Sequence, residues 1–262
     1  MTVRELKTQG GVPEASQTGR ALLSLREMLF RGDVLPGERI SELPMVARLG
    51  VSRTPIRLAL DRLAHEGLLE ALPTGGFTVR SFSLADIWDA IEMRGVLEGT
   101  ASRLAAERLT DDSELAELRR IREEMCAYGG PTSNIDSYAR YLDLNDAFHA
   151  EIVRLAKSPM LKRSLDQLLT LPFAQPSAVV FVASKLPGSE ATFAISQEHH
   201  RIILDAIEHR QGTRAEAAAR EHSTVSRRIL EGVLENQEVL NSVPGASLIR
   251  LPSTQRSVEI GG

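Results

Sequence analysis

Three groups of residues have the types and spacing to do chemistry. Arg53 and Arg57 stand four apart in Leu49-Gly50-Val51-Ser52-Arg53-Thr54-Pro55-Ile56-Arg57, so on a helix they leave from one face. A guanidinium there can take guanine O6 and N7 bidentately, worth about 1–3 kcal/mol of base discrimination. The hydroxyls of Ser52 and Thr54, beside a helix N-terminus, suit phosphate oxygens. Asn145 and His149 are also four apart, and His200 (with His199 beside it) and His222 add further imidazoles. Three imidazoles and one oxygen could hold Zn²⁺, Ni²⁺ or a similar divalent ion and leave a position open for a ligand carboxylate. By spacing alone, histidines this far apart are more often surface or core groups than ligands. Arg94 and Glu98 read either as an intrahelical ion pair worth about 0.2–0.5 kcal/mol or as an interior arginine that forks onto a small carboxylate.

Positioning such groups takes more than one folded unit, and 262 residues suffice for two domains with separate cores. Hydrophobic residues are 42% of the chain and charged residues 25%, which excludes disorder and a membrane-embedded bundle. No apolar run approaches the roughly 18–20 residues of a bilayer span. The N-terminus lacks the layout of a secretory signal, so the chain is expected in the cytoplasm. The single cysteine, Cys126, excludes an internal disulfide and is expected as a buried core thiol. The net charge of −4 divides unevenly. Arg20 to Arg80 holds nine arginines against seven carboxylates, a net +2, while twenty basic and twenty-six acidic residues from Ser81 onward give −6. That asymmetry fits a chain in which only one domain touches phosphate.

The periodicity is mainly α. Residues 1–16 read as a mobile leader. Helices are predicted at 17–31, 42–49 and 54–66, with Gly50 between the last two and Pro55 in a first turn, where its missing N–H costs nothing. Leu68–Leu72 and Phe77–Arg80, joined through Gly75-Gly76, read as a β-hairpin. Residues 17–81 therefore form a winged helix-turn-helix, whose second helix enters the major groove. Its glycine-tipped wing lets Gly75 and Gly76 approach the minor-groove backbone. From Ser83, which with Asp86 forms a capping box, helices are predicted to about 108 and at 111–127, 135–156, 159–170, 189–210 and 213–238. Residues 82–240 are read as an all-helical bundle, and 241–262, rich in Pro and Gly, as a flexible tail.

The segment from Pro36 to Arg80 resembles the GntR family of bacterial transcription regulators. The match runs through Pro36-Gly37-Glu38-Arg39, the Leu49–Arg57 motif, Ala59-Leu60, Leu63, Glu66-Gly67-Leu68 and Gly75-Gly76-Phe77. Leu58 stands where the family usually has Glu, and Leu43 where some members carry a further DNA-contacting Arg. Residues 85–235 are similar to the FCD effector domain of the fatty-acid-regulator-like branch. Asn145-Asp146-Ala147-Phe148-His149, His200 and His222 match its metal-site pattern, with Asn145 replacing the commoner Asp. The resemblance implies a homodimer on a pseudo-palindromic operator, repression relieved by a small carboxylic acid, a bound metal ion, and no enzymatic activity. Ile91–Gly99 and Pro172–Ala178 are similar to the vanillate-responsive members, which implies an aromatic or other small acid. Two other readings stand beside this one. A purely structural metal would act without an effector. A metal-dependent hydrolase would use the open site, but no His-Glu-x-x-His base is present.

Overall fold

The computed structural model describes residues 17–127, 135–171, 174–175 and 186–251. The expected leader, most of the Pro172–Ala178 segment and residues 252–262 lie outside them.

The head begins with α1 (Gln17–Arg31), whose Ala21, Leu25, Met28 and Leu29 form a buried stripe. Then come β1 (Arg39–Ile40), α2 (Glu42–Leu49) and α3 (Arg53–His65). In α3, Pro55, Ile56, Ala59, Leu60 and Leu63 face inward, leaving the opposite side to solvent. Strands β2 (Leu69–Ala71) and β3 (Phe77–Val79) make the wing, and β1 pairs with β3 on its other side, Ile40 opposite Phe77. A two-residue strand such as β1 has no detectable alternation, and the sequence reading does not include it.

Strand β4 (Phe82–Ser83) leads into α4 (Leu84–Arg108). The Ser83 hydroxyl accepts from the Asp86 amide at 3.2 Å, and the Asp86 carboxylate accepts from the Ser83 amide at 2.7 Å. A 3-10 turn at Asp112–Leu115 precedes α5 (Ala116–Ala127), followed by α6 (Ile135–Leu155), α7 (Pro159–Leu168), α8 (Ser189–Glu208) and α9 (Gly212–Leu234). α4 and α9 pack closely because Gly95 and Gly99 present no side chain to Ser223, Arg220 and Glu216 of α9. The bundle core gathers Ala101, Ala105, Leu118, Tyr141, Phe148, Ile203 and Ala219, among others. No helix among the described residues is long and apolar enough to cross a membrane.

Two expectations are corrected. Packing does not stop at 240: α10 (Gln237–Leu240), a 3-10 turn at Ala246–Leu248 and β5 (Ile249–Arg250) follow. β5 pairs in parallel with β4, Phe82 opposite Ile249, and the Gly245 amide donates to the Phe30 carbonyl at 2.8 Å. Pro244 and Gly245 mark a turn here, because Val243, Leu248 and Ile249 beyond them have an apolar surface to bury. Cys126 is exposed rather than buried. The inward stripe of α5 is Leu118, Ile121 and Met125, and residue 126 falls off it.

The head's core does not end at the sequence boundary either. Leu25, Leu29, Ile56, Leu60 and Leu63 share one apolar cluster with Val225, Ile229, Leu230 and Val233 of α9, and with Val239, Leu240 and Leu248.

Candidate DNA-reading face and candidate metal centre

On the head, burial of one side of α3 dictates what the other side presents. Arg53 and Arg57 leave the exposed side, each with a side chain 70% accessible. Ser52 occupies the N-cap position, its side chain making no capping hydrogen bond, and it is exposed, as is Thr54. No acidic residue occupies the first turn of α3. Leu43 and Leu58 are both exposed, at 69% and 52%. At the wing tip Gly75 and Gly76 both have positive φ, 84° and 78°, a conformation that a side chain would strain. Arg39 Nη2 donates to the Gly75 carbonyl at 2.7 Å, so β1 holds the wing by a side chain as well as by its ladder. Sequence reasoning gave Arg39 no role, since nothing in its spacing links it to residue 75.

In the bundle, three helices converge on one point. His149 of α6, His200 of α8 and His222 of α9 are buried, with a nitrogen of each within 4.8 Å of the others. His200 Nε2 and His222 Nε2 are 3.1 Å apart. Two nitrogens on one tetrahedral ion, with bonds of about 2.0–2.1 Å, would stand roughly 3.3 Å apart. Burial pushes His200 and His222 well below the ordinary imidazole range, and the neighbouring imidazoles add to this. Burial also lowers His149, against the pull of Glu98. All three are therefore neutral near pH 7, the form in which imidazole binds metal. His149 Nε2, His200 Nδ1 and His222 Nδ1 have no hydrogen-bond partner despite burial. His200 Nε2 and His222 Nε2, which face each other, together with the unpartnered His149 Nε2, are a donor set on neutral rings that a divalent ion fits. Asn145 is buried one turn before His149 on α6. His199 is only partly buried and stays outside the group of three.

Arg94 and Glu98 lie beside this centre on α4. Glu98 is buried, with Oε1 3.4 Å from His149 Nδ1 and Oε2 3.7 Å from Arg94 Nε. A carboxylate behind a histidine fixes the ring's tautomer and orientation. The sequence paired Glu98 with Arg94 but could not show its contact across helices with His149. Arg94 is 2% exposed, and its Nη1 and Nη2 donate to the Ala174 carbonyl and the Ser226 hydroxyl at 3.1 and 2.7 Å. It does not line the adjacent cavity of about 290 Å³, which is bounded by Glu98, Asp146, His149, Leu165, Leu169 and Gln175, among others. A larger open groove between α1 and residues 234–251 contains no histidine.

This combination of a winged helix-turn-helix and a histidine-centred helical bundle defines a class, and comparison with known proteins agrees. Residues 17–79 match the family described as bacterial regulatory proteins, gntR family, and residues 89–224 match the FCD domain. The chain belongs to the GntR family and carries an FCD domain as its second module. It is 38% identical over 130 residues to the Nta operon transcriptional regulator of Aminobacter aminovorans, covering 50% of this chain and 59% of that one. The matched stretch thus spans about three fifths of that relative's length. It is 32% identical over 196 residues to the "Probable D-xylose utilization operon transcriptional repressor" of Paenarthrobacter nicotinovorans, covering 74% and 80% of the two chains. Among solved structures, McbR/YncC of E. coli shares the fold with a TM-score of 0.60 at 23% identity, covering 83% of this chain and 98% of that one. The family and the two sequence relatives are named as transcriptional regulators, not enzymes.

Proposed function

We propose that this chain is a cytoplasmic, homodimeric repressor whose hold on operator DNA is released by a small carboxylic acid bound beside the three-histidine centre. The observation that carries the reading is the cavity of about 290 Å³ with His149 and Glu98 in its wall. Its size suits a small aromatic or aliphatic acid, at the low end of ligand pockets. Zn²⁺ or Ni²⁺ would be held by His149, His200 and His222, with Asn145 as a neutral oxygen ligand, and would supply an open Lewis-acid position. Arg94, which is not in the cavity wall, bears on the acid through Glu98, the wall residue it pairs with.

On DNA, Arg53 and Arg57 read base edges, Ser52 and Thr54 hold phosphates, and the Gly75-Gly76 wing lies against the adjacent backbone. Two heads in a two-fold dimer then match a pseudo-palindrome. The route from cavity to head is short. Leu165 and Leu169, on α7 and just after it, line the cavity. In the same stretch Gln167 Nε2 donates to the His65 carbonyl at 3.2 Å, and the Thr170 hydroxyl donates to the Glu66 carbonyl at 3.3 Å. Those carbonyls lie at the C-terminal end of the recognition helix. An acid that moves α7 changes how α3 is held, by as much as its affinity differs between the two arrangements.

The test starts from a randomised duplex pool, selected on the full-length protein. The selected duplex is then titrated with small aromatic and aliphatic acids, with and without Zn²⁺. One sequence class should be enriched, and one class of acid should release it only when metal is present. No enrichment over random sequence ends the reading; enrichment without release by any acid removes the effector from it.

A further inference from the structure

Glu42, the first residue of α2, stands between the two arginines of the recognition helix. Arg53 Nε donates to Glu42 Oε2, and Arg57 Nε lies 4.0 Å from Glu42 Oε1. One carboxylate thus faces both guanidiniums, an oxygen to each. Both contacts use Nε, the nitrogen nearest the backbone. The terminal Nη1 and Nη2 of both arginines make no hydrogen bond among the described residues, and both side chains are 70% accessible. Those two nitrogens form the fork that fits guanine O6 and N7.

Glu42 itself is half-buried, its side chain 21% accessible, so its carboxylate is better fixed than the arginines it holds. Arg57 has a second carboxylate, Asp61 Oδ2 at 3.9 Å from the same Nε, again leaving the fork clear. A free arginine side chain loses much of its rotamer entropy when it is ordered. Holding it by Nε removes part of that cost before DNA arrives. The same carboxylate also cancels one of the two positive charges, which weakens attraction to phosphate of any sequence.

We propose that Glu42 is a positioning residue for DNA recognition. It holds Arg53 by a hydrogen bond from Nε and draws Arg57 Nε electrostatically, aims their forks at base edges and discourages their use as phosphate contacts. The proposal rests on the reading that these arginines face bases, so its test must separate the two.

Wild-type, Glu42→Gln, Glu42→Asp and Arg53→Ala proteins are titrated, full-length, against the duplex selected by the wild type and against a random-sequence duplex, over a KCl series. Glu42→Gln should bind the random duplex several-fold tighter, with a salt slope steeper by about 0.9 for each arginine turned to phosphate. Its preference for the selected duplex should fall by about tenfold. Glu42→Asp keeps the charge but is one methylene shorter. It should keep the weak random-duplex binding of the wild type yet lose preference.

Loss of a carboxylate that only complements the α2 dipole would lower the melting midpoint slightly and leave preference and slope unchanged. Wild-type preference and slope in Glu42→Gln overturn the proposal, as does an equal loss on both duplexes. If Arg53→Ala lowers preference while both Glu42 variants keep it, the arginine reading stands and the positioning role alone falls. If Arg53→Ala keeps its preference, the base-reading role of the arginine falls first.

Discussion

Replacing Gly95 by Ala sets two rules of helix chemistry against each other. On an isolated helix the change should stabilise by about 0.8–1 kcal/mol, because glycine is the poorer helix former. In this bundle the added Cβ would stand 2.3 Å from the Ser223 hydroxyl oxygen and 3.1 Å from the Ser223 Cβ on α9. The hydroxyl can turn away, at the loss of its 2.8 Å hydrogen bond to the Arg220 carbonyl, worth about 1 kcal/mol. The Cβ cannot turn away, so α9 must shift by several tenths of an ångström. Overpacking of this kind costs about 1–3 kcal/mol, which exceeds the propensity gain. With the lost hydrogen bond included, the net expectation is a loss of about 1–3 kcal/mol. At about 2–4 °C per kcal/mol for a chain of this size, the melting midpoint should fall measurably. His222 neighbours Ser223, so the same shift should weaken Zn²⁺ binding, read by isothermal titration of the metal-free protein. A higher melting midpoint with unchanged Zn²⁺ affinity would refute the close approach of α4 and α9.

Other consequences are open to measurement. His149→Ala combined with His222→Ala should reduce co-purified metal to background in elemental analysis while random-duplex binding stays within a few-fold of wild type; unchanged metal content would relocate the site. The buried histidines lie below the unfolded imidazole value of 6.5, so between those values the unfolded chain binds more protons than the folded one. Stability of the metal-free protein should therefore be full above about pH 6.5 and fall below it, by up to about 1.4 kcal/mol per pH unit for each histidine. Urea unfolding of the wild type and His200→Ala at pH 7.5 and 5.5 checks the sign, the variant losing less. Leu248→Ala removes a side chain that is 1% exposed and should cost about 2–4 kcal/mol; a change under 0.5 kcal/mol would mean that the segment after 240 does not pack.

The helices were largely legible because their apolar stripes repeat at 3.6 residues. Gln17–Arg31 and Glu42–Leu49 begin and end where the periodicity and the glycine breaks place them. The β1, β4 and β5 strands were not, since two residues carry no alternation and their partners lie far along the chain. At the site, local spacing pairs Asn145 with His149, and Arg53 with Arg57. Family resemblance singled out His200 and His222, but only folding brings them to 3.1 Å. Glu98 behind His149, Glu42 between the arginines and Arg39 under the wing act across elements, so no local pattern marks them. Cys126 shows the opposite failure. A residue type usually buried lies off its helix's inward stripe.

The apolar cluster that joins the head to Val225–Val233 and Leu248 has a consequence for anyone exchanging parts between such regulators. The natural cut, at the end of the wing near residue 81, would divide a single apolar cluster that holds Leu25, Leu29 and Leu60 together with residues from beyond it. A chimera built there would pair a foreign bundle with a half-finished head, and its loss of function would say nothing about signalling. The transplantable unit is discontinuous: residues 17–83 together with the second half of α9 and the segment through Arg250.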